Sequence, residues 1–114
     1  AVELHRKAVE MWEAKLGPEH DDVASGLTAL GEDLLQLGRR EEALPIAERA
    51  YAIRKDAQID ELERAHTKWV LARALGNRAA GNDRGKKLAE EALAVYDERE
   101  EAKFAAAVRE WLGR

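Results

Sequence analysis

The feature that most constrains the fold is an internal repeat of 42 residues. The segments that begin at Ala1, Ala43 and Gly85 align with one another, and apolar residues of similar size fall at matching places in all three. Such a period is the signature of a repeat protein, in which each unit packs only against its neighbours. The clearest matching columns are Leu4, Ile46 and Leu88; Ala8, Ala50 and Ala92; and Met11, Ile53 and Val95.

The stretches between these segments also predict helices. Val23, Leu27, Leu30 and Leu34 recur at intervals of three and four, the spacing of one helix face. Because the connections are short, consecutive helices are expected to be antiparallel. The sequence therefore predicts an all-α fold of about six helices, at residues 2–16, 21–37, 41–56, 60–79, 83–97 and 100–112.

The spacing of Leu30, Gly31, Leu34, Gly38 and Ala43 resembles that of a tetratricopeptide repeat. The resemblance implies a right-handed α-solenoid of antiparallel helix hairpins. The loop at 16–24 is similar to that of the kinesin-light-chain-like subclass, whose repeat also has 42 residues. That subclass often has proline after the histidine, whereas this chain has aspartate. The chain's end also resembles the C-terminal repeats of some bacterial serine/threonine protein kinases.

The repeat phase divides the chain into four parts of one domain, 1–114. Residues 1–16 are interpreted as the second helix of a truncated repeat and 21–56 as a full repeat. Residues 60–97 are interpreted as a degenerate repeat and 100–112 as a closing helix. Since the chain begins at an alanine rather than methionine, we expect it to be a piece of a longer protein, whose other parts the sequence does not reveal.

The resemblance implies that the first helix of each hairpin lines a concave face, which is the candidate binding groove. The position just before Leu30, where relatives commonly carry an asparagine, holds Ala29. Gripping of an extended peptide backbone is therefore not expected. The alternative is a solvated helix face without a ligand. The candidate groove residues are Ser25, Thr28, Glu32 and Leu35, and 42 positions later Thr67, Val70, Ala74 and Asn77.

A second candidate surface lies on the first helix. Leu4, Ala8, Met11 and Trp12 would lack their natural cover if the first helix of that repeat is missing. Exposed apolar patches favour association. The sequence therefore predicts homo-oligomerisation through this helix, or a rearrangement that covers it; the alternative is a small patch and a monomeric chain.

The sequence carries no pattern that indicates catalysis, a metal site or a cofactor. His5, His20 and His66 show no metal-ligand spacing, and the chain has no cysteine. The net charge of −4 disfavours a nucleic-acid partner. No run approaches the roughly 20 apolar residues of a membrane span, which favours a cytoplasmic setting without membrane contact.

These observations predict a non-enzymatic scaffold that binds a protein or peptide partner through the groove. We expect it to be a module of a larger signalling or regulatory protein. The alternative function is a structural or self-association spacer with no groove ligand. The sequence names neither the partner nor the pathway.

Overall fold

The computed structural model describes residues 1–76 and 83–114, and its regular structure there is entirely α-helical. This confirms the predicted fold class, because the described residues form six helices and no strand. The helices are α1 (Val2–Leu16), α2 (Asp21–Gln36), α3 (Arg40–Arg54), α4 (Glu61–Leu75), α5 (Asp83–Glu98) and α6 (Ala102–Leu112).

The helices pack in chain order, as a stack of hairpins requires. Each helix packs against the next one, and α2 also packs against α4. Helices α2, α4 and α6 recur at intervals of about one repeat, and α1, α3 and α5 do the same. We call α2, α4 and α6 the first helices and α1, α3 and α5 the second helices. The contact of α2 with α4 places neighbouring first helices side by side.

Small residues allow this close packing. A Cβ atom at Gly31 would lie 2.9 Å from Cγ1 of Val70, so α2 and α4 meet where α2 has no side chain. On α3, Ala43, Ala47 and Ala50 are fully buried in a single stripe. Two helix backbones approach closely only where side chains of this size separate them. The small residues that defined the repeat thus form its interior.

Several helix ends differ from the prediction by a few residues, such as that of α3, which ends at Arg54 rather than at residue 56. Helix α4 ends at Leu75, earlier than the predicted residue 79, because Gly76 adopts φ of 82°, a conformation outside the α-helical region. Residues 77–79 of that prediction lie outside the described residues. Helix α6 begins at Ala102 rather than residue 100, and Glu100 before it has φ of 59°. At the start of α2, Nδ1 of His20 accepts a hydrogen bond from the Asp22 N–H at 3.0 Å.

The guanidinium of Arg54 joins three helices. This side chain, at the end of α3, is only 2% exposed. Its Nε and Nη2 donate to the two carboxylate oxygens of Asp21 on α2, at 2.8 and 3.3 Å. Its Nη1 donates to Oγ1 of Thr67 at 3.2 Å and to the carbonyl of Glu63 at 3.3 Å, both on α4. Arg54 therefore fixes how α2, α3 and α4 meet.

We expect Arg54→Met to lower the free energy of unfolding by roughly 2–4 kcal/mol, because Asp21 and Thr67 lose their buried donor. Chemical denaturation followed by circular dichroism measures this change. The matched control is Arg49→Met, which breaks a half-exposed ion pair with Glu13 and should cost about 1 kcal/mol or less. Equal losses in the two variants would contradict the role assigned to Arg54.

Candidate partner-binding cleft

A cleft of about 260 Å³ opens on the side of the molecule formed by the first helices. Helices α2 and α4 supply most of its walls. Helix α6 contributes the ring of Phe104, and α3 contributes the guanidinium of Arg54, its last residue. We call it the first-helix cleft. Its lining residues are Ser25, Thr28, Ala29, Glu32, Arg54, Glu63, His66, Trp69, Val70 and Phe104.

Four of the eight predicted groove residues line this cleft. Ser25 is exposed, Thr28 and Glu32 are half-buried, and Val70 is 3% exposed and forms part of the floor. The predicted face of α2 is therefore one that borders a cleft, and its role in binding stays a prediction. Leu35 is half-buried and packs against the core rather than lining the cleft.

The expectation for the corresponding face of α4 differs from the structure. Thr67 and Ala74 are buried, at 1% and 2% exposure, beneath the surface on which a ligand would lie. The Thr67 hydroxyl is occupied by hydrogen bonds with Thr28 at 2.9 Å and with Arg54 at 3.2 Å. These residues are covered because α2 packs directly against α4. Asn77 lies outside the described residues.

One wall of the cleft is a tryptophan held between two other side chains. Trp69 is 6% exposed. The guanidinium carbon of Arg73 lies 4.4 Å from the centroid of its ring, and the Trp111 ring meets it edge-on at 5.7 Å between centroids. The same guanidinium donates two hydrogen bonds to the Glu32 carboxylate, at 2.8 and 2.5 Å. Glu32 and Trp69 therefore hold fixed positions on opposite sides of the cleft.

The other end of the cleft is an aromatic cluster of His66, Tyr96 and Phe104. The Phe104 ring stacks on Tyr96 at 5.1 Å and tilts against His66 at 4.9 Å. Nδ1 of His66 lies 2.7 Å from the Tyr96 hydroxyl. Phe104 is 41% exposed, whereas Tyr96 is fully buried. Sequence analysis did not identify this cluster, because its members come from three different helices with no shared spacing.

Burial sets the protonation of this cluster. It lowers the pKa of His66, although the carboxylates of Glu63, Glu101 and Glu32 act in the opposite direction. Burial also raises the pKa of Tyr96, so its phenol stays protonated. A neutral imidazole with its proton on Nε2 accepts the Tyr96 hydrogen bond at Nδ1. The His66 side chain itself thus carries no positive charge near neutral pH.

The predicted self-association residues do not form one exposed patch. Leu4 and Met11 are 72% and 52% exposed on α1. Ala8 is half-buried, and the half-buried Trp12 packs against the apolar cluster between α1, α2 and α3. Leu4 and Met11 are thus the members of the predicted set that remain open to a partner.

Within the residues that the structure describes, no group of three or more His, Cys, Asp or Glu side chains is placed to hold a metal ion. None of the helices in residues 1–76 and 83–114 has the length and apolar content needed to cross a membrane.

Residues 1–56 match the family model described as the tetratricopeptide repeat. The match covers α1, α2 and α3, and it supports the predicted tetratricopeptide-repeat protein. It stops before α4, where Arg73 stands 42 positions after Gly31. Tetratricopeptide repeats are non-catalytic and generally serve as protein–protein interaction modules. No curated protein and no solved structure matches the chain.

We expect stability to fall with acidification in a manner that depends on His66. The pKa of His66 is lower in the folded chain, so between the folded and unfolded pKa values the unfolded state binds more protons. The stability that neutral His66 contributes is therefore fully present above the pKa of the unfolded state, near 6.5, and is lost as pH falls toward the lower pKa of the folded state. Comparing unfolding free energies of the parent and His66→Asn, which keeps an acceptor but does not titrate, isolates this effect.

The parent should lose more stability than the variant between pH 7 and 5, by less than about 1.4 kcal/mol per pH unit, the limit for one proton. Parallel pH profiles for the two proteins would show that His66 does not titrate differently on folding.

Proposed function

We propose that the chain is a scaffold that holds a partner peptide or protein in the first-helix cleft, on the face we identify with the concave side of the array. The observation that carries the proposal is that Ser25, Thr28, Glu32 and Val70, selected from the sequence by repeat phase and family resemblance, line a single cleft. Ligand sites are typically concave and largely apolar, with a few fixed polar groups. The family match supports an interaction module.

The rigidity of the cleft favours binding. Arg73 holds Trp69 and Glu32 at the same time, and Tyr96 supports both His66 and Phe104. Side chains that are already fixed lose little entropy when a partner binds. A partner segment would therefore meet a preformed surface of rings and carboxylates.

The wider setting of the module is also a proposal. We propose that it is part of a larger cytoplasmic signalling or regulatory protein, on the resemblance of its loop and repeat length to the kinesin-light-chain-like subclass and of its end to repeats of bacterial protein kinases. The net charge of −4 supports a protein partner rather than nucleic acid.

Filling the cleft should abolish binding. Ala29 lines the cleft, so the indole of Ala29→Trp would occupy much of its volume of about 260 Å³. The control is Ala52→Trp on α3, which adds the same ring at an exposed position that is not among the lining residues. Peptides selected from a random display library against the parent protein should bind Ala29→Trp at least about tenfold more weakly, a loss of about 1.4 kcal/mol.

Fluorescence anisotropy with labelled peptides measures this loss, and circular dichroism melting verifies that both variants fold. Selected peptides that bind parent, Ala29→Trp and Ala52→Trp equally would exclude the first-helix cleft as the binding site.

A second candidate function is self-association through α1, which the exposure of Leu4 and Met11 favours. The two residues lie seven positions apart, two helical turns, and so share one face of the helix. Two large apolar side chains on one exposed face favour contact with another copy of the chain. In this function the molecule is a spacer and the cleft holds no ligand.

We expect this association to be lost in the double variant Leu4→Glu/Met11→Glu, because burying two carboxylates at an interface is unfavourable. Sedimentation velocity over about a hundredfold range of concentration detects it. The control is Ala106→Glu/Ala107→Glu, which adds the same charge at exposed positions of α6. A parent protein that stays monomeric at every concentration would rule out the spacer function.

A further inference from the structure

Among the residues that the structure describes, the first-helix cleft has carboxylates with no cation of their own. Glu63 lines the cleft with 48% of its side chain exposed. Its ion-pair partner is Nη1 of Arg54 at 3.7 Å, but that guanidinium already donates to Asp21 and Thr67. Glu63 therefore keeps most of its acceptor capacity for a ligand.

The other charged residues near the cleft, Arg73 and Glu101, leave its net charge negative. The Arg73 guanidinium is paired with Glu32 through two hydrogen bonds, so it does not offset Glu63. Glu101, the residue before α6, is half-buried, and in the described part of the chain it makes no ion pair or side-chain hydrogen bond. Its backbone N–H donates to the carbonyl of Tyr96 at 2.8 Å, so it lies beside the aromatic cluster.

An exposed aromatic ring lines the same cleft as Glu63. Phe104 lines the cleft, is 41% exposed, and is three residues from Glu101. Its contacts with Tyr96 and His66 fix the ring and leave the rest of its surface to solvent. Aromatic rings attract ammonium and guanidinium groups, and their apolar surface accepts the alkyl stems of lysine and arginine.

We infer that the partner segment places an arginine or lysine side chain in the first-helix cleft, with its stem on Phe104 and its cation beside Glu63 and Glu101. The inference rests on the proposed function and adds to it the chemical class of the partner, a basic peptide segment. An acidic segment would meet two carboxylates beside a guanidinium, that of Arg54, which Asp21 and Thr67 already occupy. A purely apolar segment would bring no cation to either carboxylate. Charge complementarity at such a site selects partners more strongly than it raises affinity.

Peptide pools that differ at a single position test the inference. Nine-residue labelled peptides carry Arg, Lys, Gln, Leu or Glu at the centre, and the flanking positions come from one common uncharged mixture. We expect the Arg and Lys pools to bind the parent protein at least about tenfold more tightly than the Glu pool. The preference should weaken as salt is raised, because partly exposed ion pairs are screened.

Two double variants locate the source of the preference. Glu63→Gln/Glu101→Gln should reduce the preference for the Arg pool over the Leu pool to about twofold or less, because it removes both carboxylates and keeps their shape. Glu98→Gln/Glu110→Gln changes the net charge by the same amount at exposed positions of α5 and α6 and should leave the preference unchanged. Glu63→Lys/Glu101→Lys should reverse it in favour of the Glu pool.

The outcomes separate this inference from the proposed function. If the Leu pool binds as tightly as the Arg pool and Ala29→Trp abolishes both, the cleft is the binding site and the basic partner is wrong. If no pool is sensitive to Ala29→Trp, the proposed function itself fails. An equal loss of preference in both glutamine double variants would assign the effect to net charge rather than to Glu63 and Glu101.

Discussion

The arrangement of the first two repeats depends on one buried cation, the guanidinium of Arg54. Removing such a group from water is costly, and it is tolerated only where hydrogen bonds and an opposite charge replace the water. Here Asp21 supplies the charge from α2, and Thr67 and the Glu63 carbonyl supply acceptors from α4. The surrounding contacts come largely from alanine and glycine, which permit many helix positions. Arg54 selects one of them, because its donors reach their acceptors only when all three helices are in register.

The geometry of the cleft follows from this registration. With α2 and α4 in contact at Gly31 and Val70, the side chains one turn further out diverge and leave a concave space between them. Glu32 stands on one side of it and Trp69 on the other, and the guanidinium of Arg73 bridges the two. Arg73 stands 42 positions after Gly31, so the second repeat departs from the family pattern here. This departure supplies the guanidinium that holds both Glu32 and Trp69 in place.

The sequence predicted local features well and contacts between repeats poorly. Helix positions could be predicted because apolar spacing along one segment, such as that of Val23, Leu27 and Leu30, already defines a buried face. Ser25, Thr28 and Glu32 lie together at the cleft for the same reason. Thr67 and Ala74 are buried instead, because repeat phase gives a direction within one repeat and does not show what the neighbouring helix covers. Arg54 and Phe104 were missed because their importance arises from contacts with other helices, which no spacing encodes.

A single repeat column explains why two successive junctions between first helices differ in chemistry. Trp12, Arg54 and Tyr96 are spaced by 42 on the second helices, and Arg54 and Tyr96 are both buried with their polar ends directed to first helices. Between α2 and α4 the residue in this column is a cation, Arg54, which is surrounded by a carboxylate, one hydroxyl and a backbone carbonyl. Between α4 and α6 it is a phenol, Tyr96, which is held by His66 and a stacked ring, Phe104. Substitution at one column therefore places a charged network at one junction and an aromatic cluster at the next. The first-helix cleft is lined by residues of both, so a partner that fills it must carry both polar and apolar surface.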